Sequence, residues 1–307
     1  MEHTKSYTDG KRYFSFDRYM KENFGRKGVR VALDGGFGCP NRDGSGKGGC
    51  IYCSSKHYGV GGLTLREQYE LQRERLKKKW KSDVLWIPYL QSGSGTFADT
   101  GVLERIYNEA LSLPDAFGLI IATRADCLAD SAVDLLKKIN EDHFLIVELG
   151  MQTMHDRTLD LIERRETHSD FIGGYKKLGG IRTVIHIING LPGETEEDML
   201  ETADEIAYLS PFGVKIHMLH VLSGTKLANM YENGGVELMS EESYVRTTVS
   251  QLRRLRTDTV VCRLTGDGWR DELIAPDWTT DKFRVLNDID AEMRRLDCRQ
   301  GDMCKFV

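Results

Sequence analysis

Cys39, Cys50 and Cys53 stand in a C-x10-C-x2-C spacing on a stretch dense in glycine. Thiolates at such intervals bind metal, and glycine lets the backbone wrap closely around a compact inorganic centre. Two chemistries fit. An iron–sulfur cluster of four irons held by three thiolates keeps one iron free of protein ligands. A structural zinc ion also fits, because His57 follows Cys53 by four residues and completes a Cys3His set. Cys127, Cys262, Cys298 and Cys304 are scattered and read as ordinary thiols.

The cysteine loop leaves an apolar run at 29–33, and similar runs follow at 84–90, 117–123, 144–149, 183–188, 214–219 and 259–264. They are continuous rather than alternating in polarity, as strands covered on both faces should be. Helical patterns separate them at 65–80, 102–112, 131–140, 157–163 with 171–178, and 196–209. Leu65, Tyr69, Leu76 and Trp80 form one apolar stripe on the first. Six β-then-α units predict an α/β fold, a partial (β/α)6 barrel too short for eightfold closure. Such a sheet gathers function at the C-terminal ends of its strands. Residues 1–28 read as an N-terminal extension and 29–231 as the core barrel, with its cysteine loop at 34–62. Residues 232–307 read as a small α/β cap packed on the barrel, ending in a helix near 281–295.

Successive strand ends carry further motifs. Tyr52 precedes the last cysteine. Gln91-Ser92-Gly93-Ser94-Gly95-Thr96 follows the second strand, and Glu148-Leu149-Gly150-Met151-Gln152-Thr153 ends the fourth. Arg164 and Arg165 come next, and Asn189-Gly190-Leu191-Pro192-Gly193 ends the fifth strand. In this order the motifs resemble the radical S-adenosylmethionine (SAM) superfamily. The resemblance implies a 4Fe-4S cluster on Cys39, Cys50 and Cys53, and reductive cleavage of SAM to a 5′-deoxyadenosyl radical. It places Tyr52 beside the adenine, and Gln91, Gly93 and Ser94 near the methionine amino group. Glu148 and Gln152 fall at the ribose, and Arg164 or Arg165 at the SAM carboxylate. The backbone of Gly190, Leu191 and Pro192 passes the adenine. The electron donor is expected to be a flavodoxin or ferredoxin.

Longer stretches, among them Lys215-Ile216-His217-Met218-Leu219-His220 and Arg263-Leu264-Thr265-Gly266-Asp267, resemble a bacterial, elongator-like subfamily. That resemblance implies tRNA wobble-uridine maturation, from carboxymethylaminomethyl-uridine to aminomethyl-uridine. Such chemistry needs a cation for the carboxylate, and Arg263 offers a planar fork that matches one. Asp267 stands near it, and the two would equally make an ion pair tying cap to barrel. His217 and His220 are candidates for proton transfer, with pKa values expected near neutrality. The sequence departs from the subfamily in two places. Gly93 and Gly95 replace an aromatic and an asparagine, and Arg164-Arg165-Glu166 replaces the start of an Arg-Gly-His pattern.

Charge bounds the partners. Lys and Arg number 42 against 47 Asp and Glu, a net charge of −5, so there is no global field for RNA. A local grip is offered by Arg73, Arg75, Lys77, Lys78, Lys79 and Lys81. The N-terminus has no apolar run and no stretch reaches the length of a membrane span, which predicts a cytoplasmic protein. Two other readings stay open: a radical SAM enzyme on a small molecule or another RNA base, and a zinc-stabilised binding module without catalysis.

Overall fold

The computed structural model of the protein describes residues 9–42, 48–54, 62–80, 83–266 and 271–306. Its strands are β1 (Lys27–Leu33), β2 (Val84–Leu90), β3 (Gly118–Thr123), β4 (Phe144–Gln152), β5 (Arg182–Asn189) and β6 (Gly213–Met218), then β7 (Val221–Leu222), β8 (Val260–Arg263) and β9 (Leu273–Ala275). Each apolar run read from the sequence lies on one of the seven strands of the main sheet. These are all parallel, in the order β1-β2-β3-β4-β5-β6-β8, with β1 and β8 as open edges. The sheet is therefore a curled half-barrel. Strands β7 and β9 pair separately as a short antiparallel ribbon.

The helices are α1 (Phe16–Phe24), α2 (Leu65–Lys77), α3 (Thr100–Leu111), α4 (Asp130–Asp142), α5 (Asp156–Leu161), α6 (His168–Lys177), α7 (Glu196–Leu209), α8 (Lys226–Glu232), α9 (Glu241–Arg254) and α10 (Lys282–Arg295). Their starts are fixed locally. Thr64 with Glu67, Thr167 with Asp170 and Thr195 with Asp198 form capping boxes on α2, α6 and α7. The outward faces of the strands, including Val31, Leu119, Val147, Ile185 and Ile216, make one core with the helices.

The inner face has two layers. Near the strand starts it is apolar, built from Leu85, Ile87, Ile120, Phe144, Ile146 and Val184. Helix α1 drives Phe16 and the fully buried Met20 into that layer and packs on both β1 and β8. Each such side chain contributes about 1.5–3 kcal/mol by leaving water. Residues before β1 thus plug the half-barrel. Nearer the strand ends the inward positions turn polar: Tyr89, Glu148, His186, Lys215 and His217.

The C-terminal part, expected to sit on the barrel as a cap, also extends it. Strand β8 pairs with β6, while α9 packs on α7 and α10 on α9. Helix α2 stops at Lys77, and Trp80 lies under the ammonium of Lys27, the first residue of β1, at 4.5 Å. The basic run from Arg73 onward therefore descends to the strand starts, opposite the functional face. Arg73 is spent on Asp115 at 2.8 Å, and Lys77 pairs with Glu74 at 2.7 Å. Lys81 lies outside the described residues.

Candidate active site

The cysteine loop is tied down at both ends by one buried amide. Gln68 accepts from the Asp34 N–H at 2.9 Å and donates to the carbonyls of Asp34 and Leu63 at 3.1 and 3.2 Å. Ile51 donates its N–H to the Ile162 carbonyl, and Leu227 donates to Ile51 in turn. Asn41 Nδ2 reaches the Glu163 carbonyl at 2.7 Å and Cys50 Sγ at 3.5 Å, and Arg42 Nη2 reaches Cys53 Sγ at 3.1 Å. Donors aimed at sulfur favour thiolates. Burial pushes the Cys53 thiol up, and Arg42 opposes that shift.

Cys39, Cys50 and Cys53 line the same cavity, but their sulfurs do not gather within 4.8 Å of one another. Tetrahedral zinc, with Zn–S of about 2.3 Å, would draw them to about 3.8 Å. Three thiolates, two of them facing N–H donors, make a donor set that fits a cluster with one iron left open. His57 lies outside the described residues. Burial pushes Cys127 up to about 12 and Cys262 to about 11, so these two are poor nucleophiles.

The cavity at the strand ends has a volume of about 740 Å³. Tyr52, Gln91, Gly93, Ser94, Glu148, Gln152 and Arg164 all line it. Burial, with Cys50 beside it, holds the Tyr52 phenol well above its usual pKa. Ser94 donates its N–H to the Gly38 carbonyl at 2.8 Å, which joins the strand-two turn to the cysteine loop. That closeness explains the two glycines. A Cβ on Gly93, whose φ is +68°, would lie 2.1 Å from the Phe37 carbonyl oxygen, and one on Gly95 would lie 2.6 Å from Ile121. No larger residue fits either position.

The structure separates the two arginines. Glu163 and Arg165 both have φ of +54°, and this turn aims Arg164 inward and leaves Arg165 exposed. Strained backbone on both sides of one inward arginine marks a position the fold takes trouble to hold. Arg164 Nη2 donates to the Gly150 carbonyl at 2.6 Å and pairs with Glu166 at 2.8 Å. Arg124, the residue after β3, supports it, donating to the Arg164 carbonyl at 3.1 Å and pairing with Asp126 at 2.6 Å. Gly190, Leu191 and Pro192 do not line this cavity. Leu191 packs with Ile51, Ile162 and Tyr52 in the apolar cluster that clamps the cysteine loop onto the strand ends.

Beneath these groups runs a polar row. Gly150, His186, Lys215 and Arg263 stand opposite one another on β4, β5, β6 and β8. Two register shifts shape it. One places Arg263 opposite Lys215, and the other, next to Gln152 with its φ of +70°, turns that side chain inward. Lys215, 2% exposed, holds Glu148 Oε2 at 2.5 Å and the Tyr89 hydroxyl at 3.1 Å. Tyr89 donates to the same oxygen at 2.5 Å. Burial would raise the Glu148 carboxyl, but Lys215 and Arg30 outweigh it and hold the group ionised. Burial lowers Lys215 to about 8.

His217 and His220 both line the cavity, but neither titrates near neutrality as expected. Burial, with His186 and Arg263 nearby, pushes His217 well below its usual value, and burial with Arg263 takes His220 to about 4. His186, which the sequence reading passed over, falls to about 3, and its ring lies 4.1 Å from that of His217. At pH 7 all three are neutral imidazoles, and burial makes them poor proton acceptors. Asp267 lies outside the described residues. The sequence reading also gave no role to Tyr89, Arg124 and Glu166, and named Lys215 only within the stretch that resembles the subfamily. A lysine inside an apolar strand run was the available signal.

Comparison with known proteins agrees with this geometry. A profile of the radical SAM superfamily matches residues 36–206, and one of the radical SAM C-terminal domain matches 211–295. The protein YtqA of Bacillus subtilis is 42% identical over 298 residues, covering 95% of this chain and 92% of its own. A tRNA uridine(34) acetyltransferase of Methanocaldococcus jannaschii is 29% identical over 41% of this chain, which spans 24% of that protein. In shape, archaeal Elp3 of Methanocaldococcus infernus superimposes with a TM-score of 0.63 at 17% identity, over 89% of this chain and 64% of that one. The chain, matched by the superfamily profile over more than half its length, belongs to the radical SAM superfamily.

Proposed function

We propose that this radical SAM enzyme acts on the wobble uridine of tRNA, converting carboxymethylaminomethyl-uridine to aminomethyl-uridine. The observation that carries the reading is the row of cationic and imidazole groups facing the cavity below the three cysteines. Support also comes from the partial likeness to a protein named for uridine 34 of tRNA. When bound, the cluster and SAM that the family implies supply one-electron chemistry that removes hydrogen from an otherwise unreactive C–H bond.

The chain's residues do the rest. Cys39, Cys50 and Cys53 hold the cluster, and Arg164 takes the SAM carboxylate, with Arg124 and Glu166 fixing its orientation. Gln152 and Tyr52 face the nucleoside, and a flavodoxin or ferredoxin supplies electrons. Arg263 draws the substrate carboxylate inward, which sets the methylene between amine and acid within reach of the cofactor. Its two-electron oxidation, for which SAM would be the oxidant, gives an imine that one water hydrolyses, releasing the two-carbon oxo acid and leaving the aminomethyl group. His217 and His220, being neutral, can hydrogen-bond the amine nitrogen without placing a second positive charge beside it. The enclosed cavity limits water and stray C–H donors.

Mass spectrometry of wobble nucleosides in tRNA from a deletion strain tests this. The carboxymethylaminomethyl form should accumulate at the expense of aminomethyl-uridine and its products. Unchanged nucleosides would favour a second reading, a small carboxylate-bearing substrate. The net charge of −5 and the basic run at the far end of the barrel speak for that reading.

A further inference from the structure

Lys215 has no part in the roles assigned above, yet it is the most enclosed cation at the cavity. Its ammonium meets Glu148 and Tyr89, which use two of its three N–H groups, and the residue lines the cavity wall. Among the described lining residues Glu148 is the only carboxylate, and it is shared: Lys215 and Tyr89 converge on its Oε2, and Arg30 acts on it from behind. The imidazoles of His186 and His217 bring no charge, and their Nε2 atoms lack hydrogen-bond partners. Lys215 and Arg30 thus share one carboxylate, and a buried cation with an unused N–H facing a cavity favours an anion there.

We propose that Lys215, held in place by Glu148 and Tyr89, binds the substrate's carboxylate at the floor of the cavity, so the ligand class is an acid that reaches the sixth strand. An ammonium fixed by two neighbours is preorganised, and its remaining N–H forms a charge-assisted bond without a search for geometry. The Glu148 carboxyl is then a positioning group for the lysine, and not a contact to ribose. The proposal rests on the tRNA reading only in placing the substrate in this cavity, whatever carries the acid.

Calorimetric titration of anaerobically reconstituted protein with N-benzylglycine and its neutral amide, N-benzylglycinamide, tests it. The wild type should bind the acid at least about tenfold more tightly than the amide, the worth of one charge-assisted hydrogen bond. The K215M/E148Q double variant removes lysine and carboxylate together and leaves the net charge of the floor unchanged. It should lose the acid preference while binding SAM as the wild type does. An acid preference that survives in this variant, or none in the wild type, overturns the proposal. Loss of SAM affinity would do so too, because it assigns the Lys215–Glu148 pair to the cofactor. If the double variant does not fold, Tyr89→Phe removes one hydroxyl from the clamp and should cut the preference about threefold; an undiminished preference there is contrary. Unaltered tRNA alongside a Lys215-dependent acid preference would sink the tRNA reading and leave this subsite standing. Altered tRNA without that preference does the reverse.

Discussion

Lys215 and Glu148 meet at 2.5 Å although they sit on β6 and β4 with β5 between them. The curl of the half-barrel brings their ends together across its interior. This pair marks the boundary between the apolar plug below and the polar cavity above. Removing Lys215 alone, as in K215M, strands a buried carboxylate and should destabilise the fold by about 3–5 kcal/mol. Adding E148Q should recover much of that loss. Chemical unfolding of both variants checks it, and equal stabilities would show that the pair is uncoupled.

The three cavity histidines predict an acid-sensitive fold. An unfolded histidine titrates at about 6.5, whereas folded His186 and His220 are held near 3 and 4 by burial and His217 is also well below. The unfolded chain therefore takes up protons that the folded one refuses. Stability should be full above about pH 6.5 and fall as pH drops towards 4, by about 1.4 kcal/mol per pH unit for each histidine. His186→Phe should reduce that slope by about one histidine's share in unfolding series run between pH 6.5 and 4. An unchanged slope would place the acid sensitivity elsewhere.

Gly93→Ala puts a methyl 2.1 Å from the Phe37 carbonyl on a backbone at φ +68°. The turn must then move away from the cysteine loop. SAM affinity should fall at least about tenfold, with the fold destabilised by about 1–3 kcal/mol. Equilibrium dialysis with labelled SAM measures it, and wild-type affinity would contradict the packing described here.

The position of α2 changes the expectation for RNA. Reversing charge at Lys77–Lys79 should leave tRNA affinity unchanged, because that end of the helix lies beside the strand starts. Arg165→Glu, on the exposed turn next to Arg164, should weaken binding and reduce its salt dependence by about one phosphate contact. Filter binding across a salt series separates the two outcomes. Loss at Lys77–Lys79 with none at Arg165 would move the RNA to the opposite face.

The apolar runs fixed strand positions because burial on both faces leaves a continuous signal. Helix α7 runs from Glu196 to Leu209 as read, since Thr195 and Asp198 cap it locally. The cysteine spacing was equally legible, being set within fifteen residues. What stayed hidden depends on contacts distant in sequence. Lys215 finds Glu148 67 residues away, and Gln300 fastens Phe14 and Thr259 to the chain's end. Strand alternation could not place Arg263 or Gln152, because a register shift turns each one. Nor could it tell which of Arg164 and Arg165 points inward, which two left-handed residues decide. The histidine pKa values depend on the enclosure itself, which no local pattern reports.

Anaerobic reconstitution with iron and sulfide, followed by iron and zinc analysis, tests the central claim most directly. The wild type should be brown, absorb broadly near about 400 nm and carry about four irons. It should also release 5′-deoxyadenosine from SAM on reduction. Cys39→Ala, Cys50→Ala and Cys53→Ala should each lose the colour and that product. A colourless wild-type protein holding one zinc, with SAM left intact, would contradict the account.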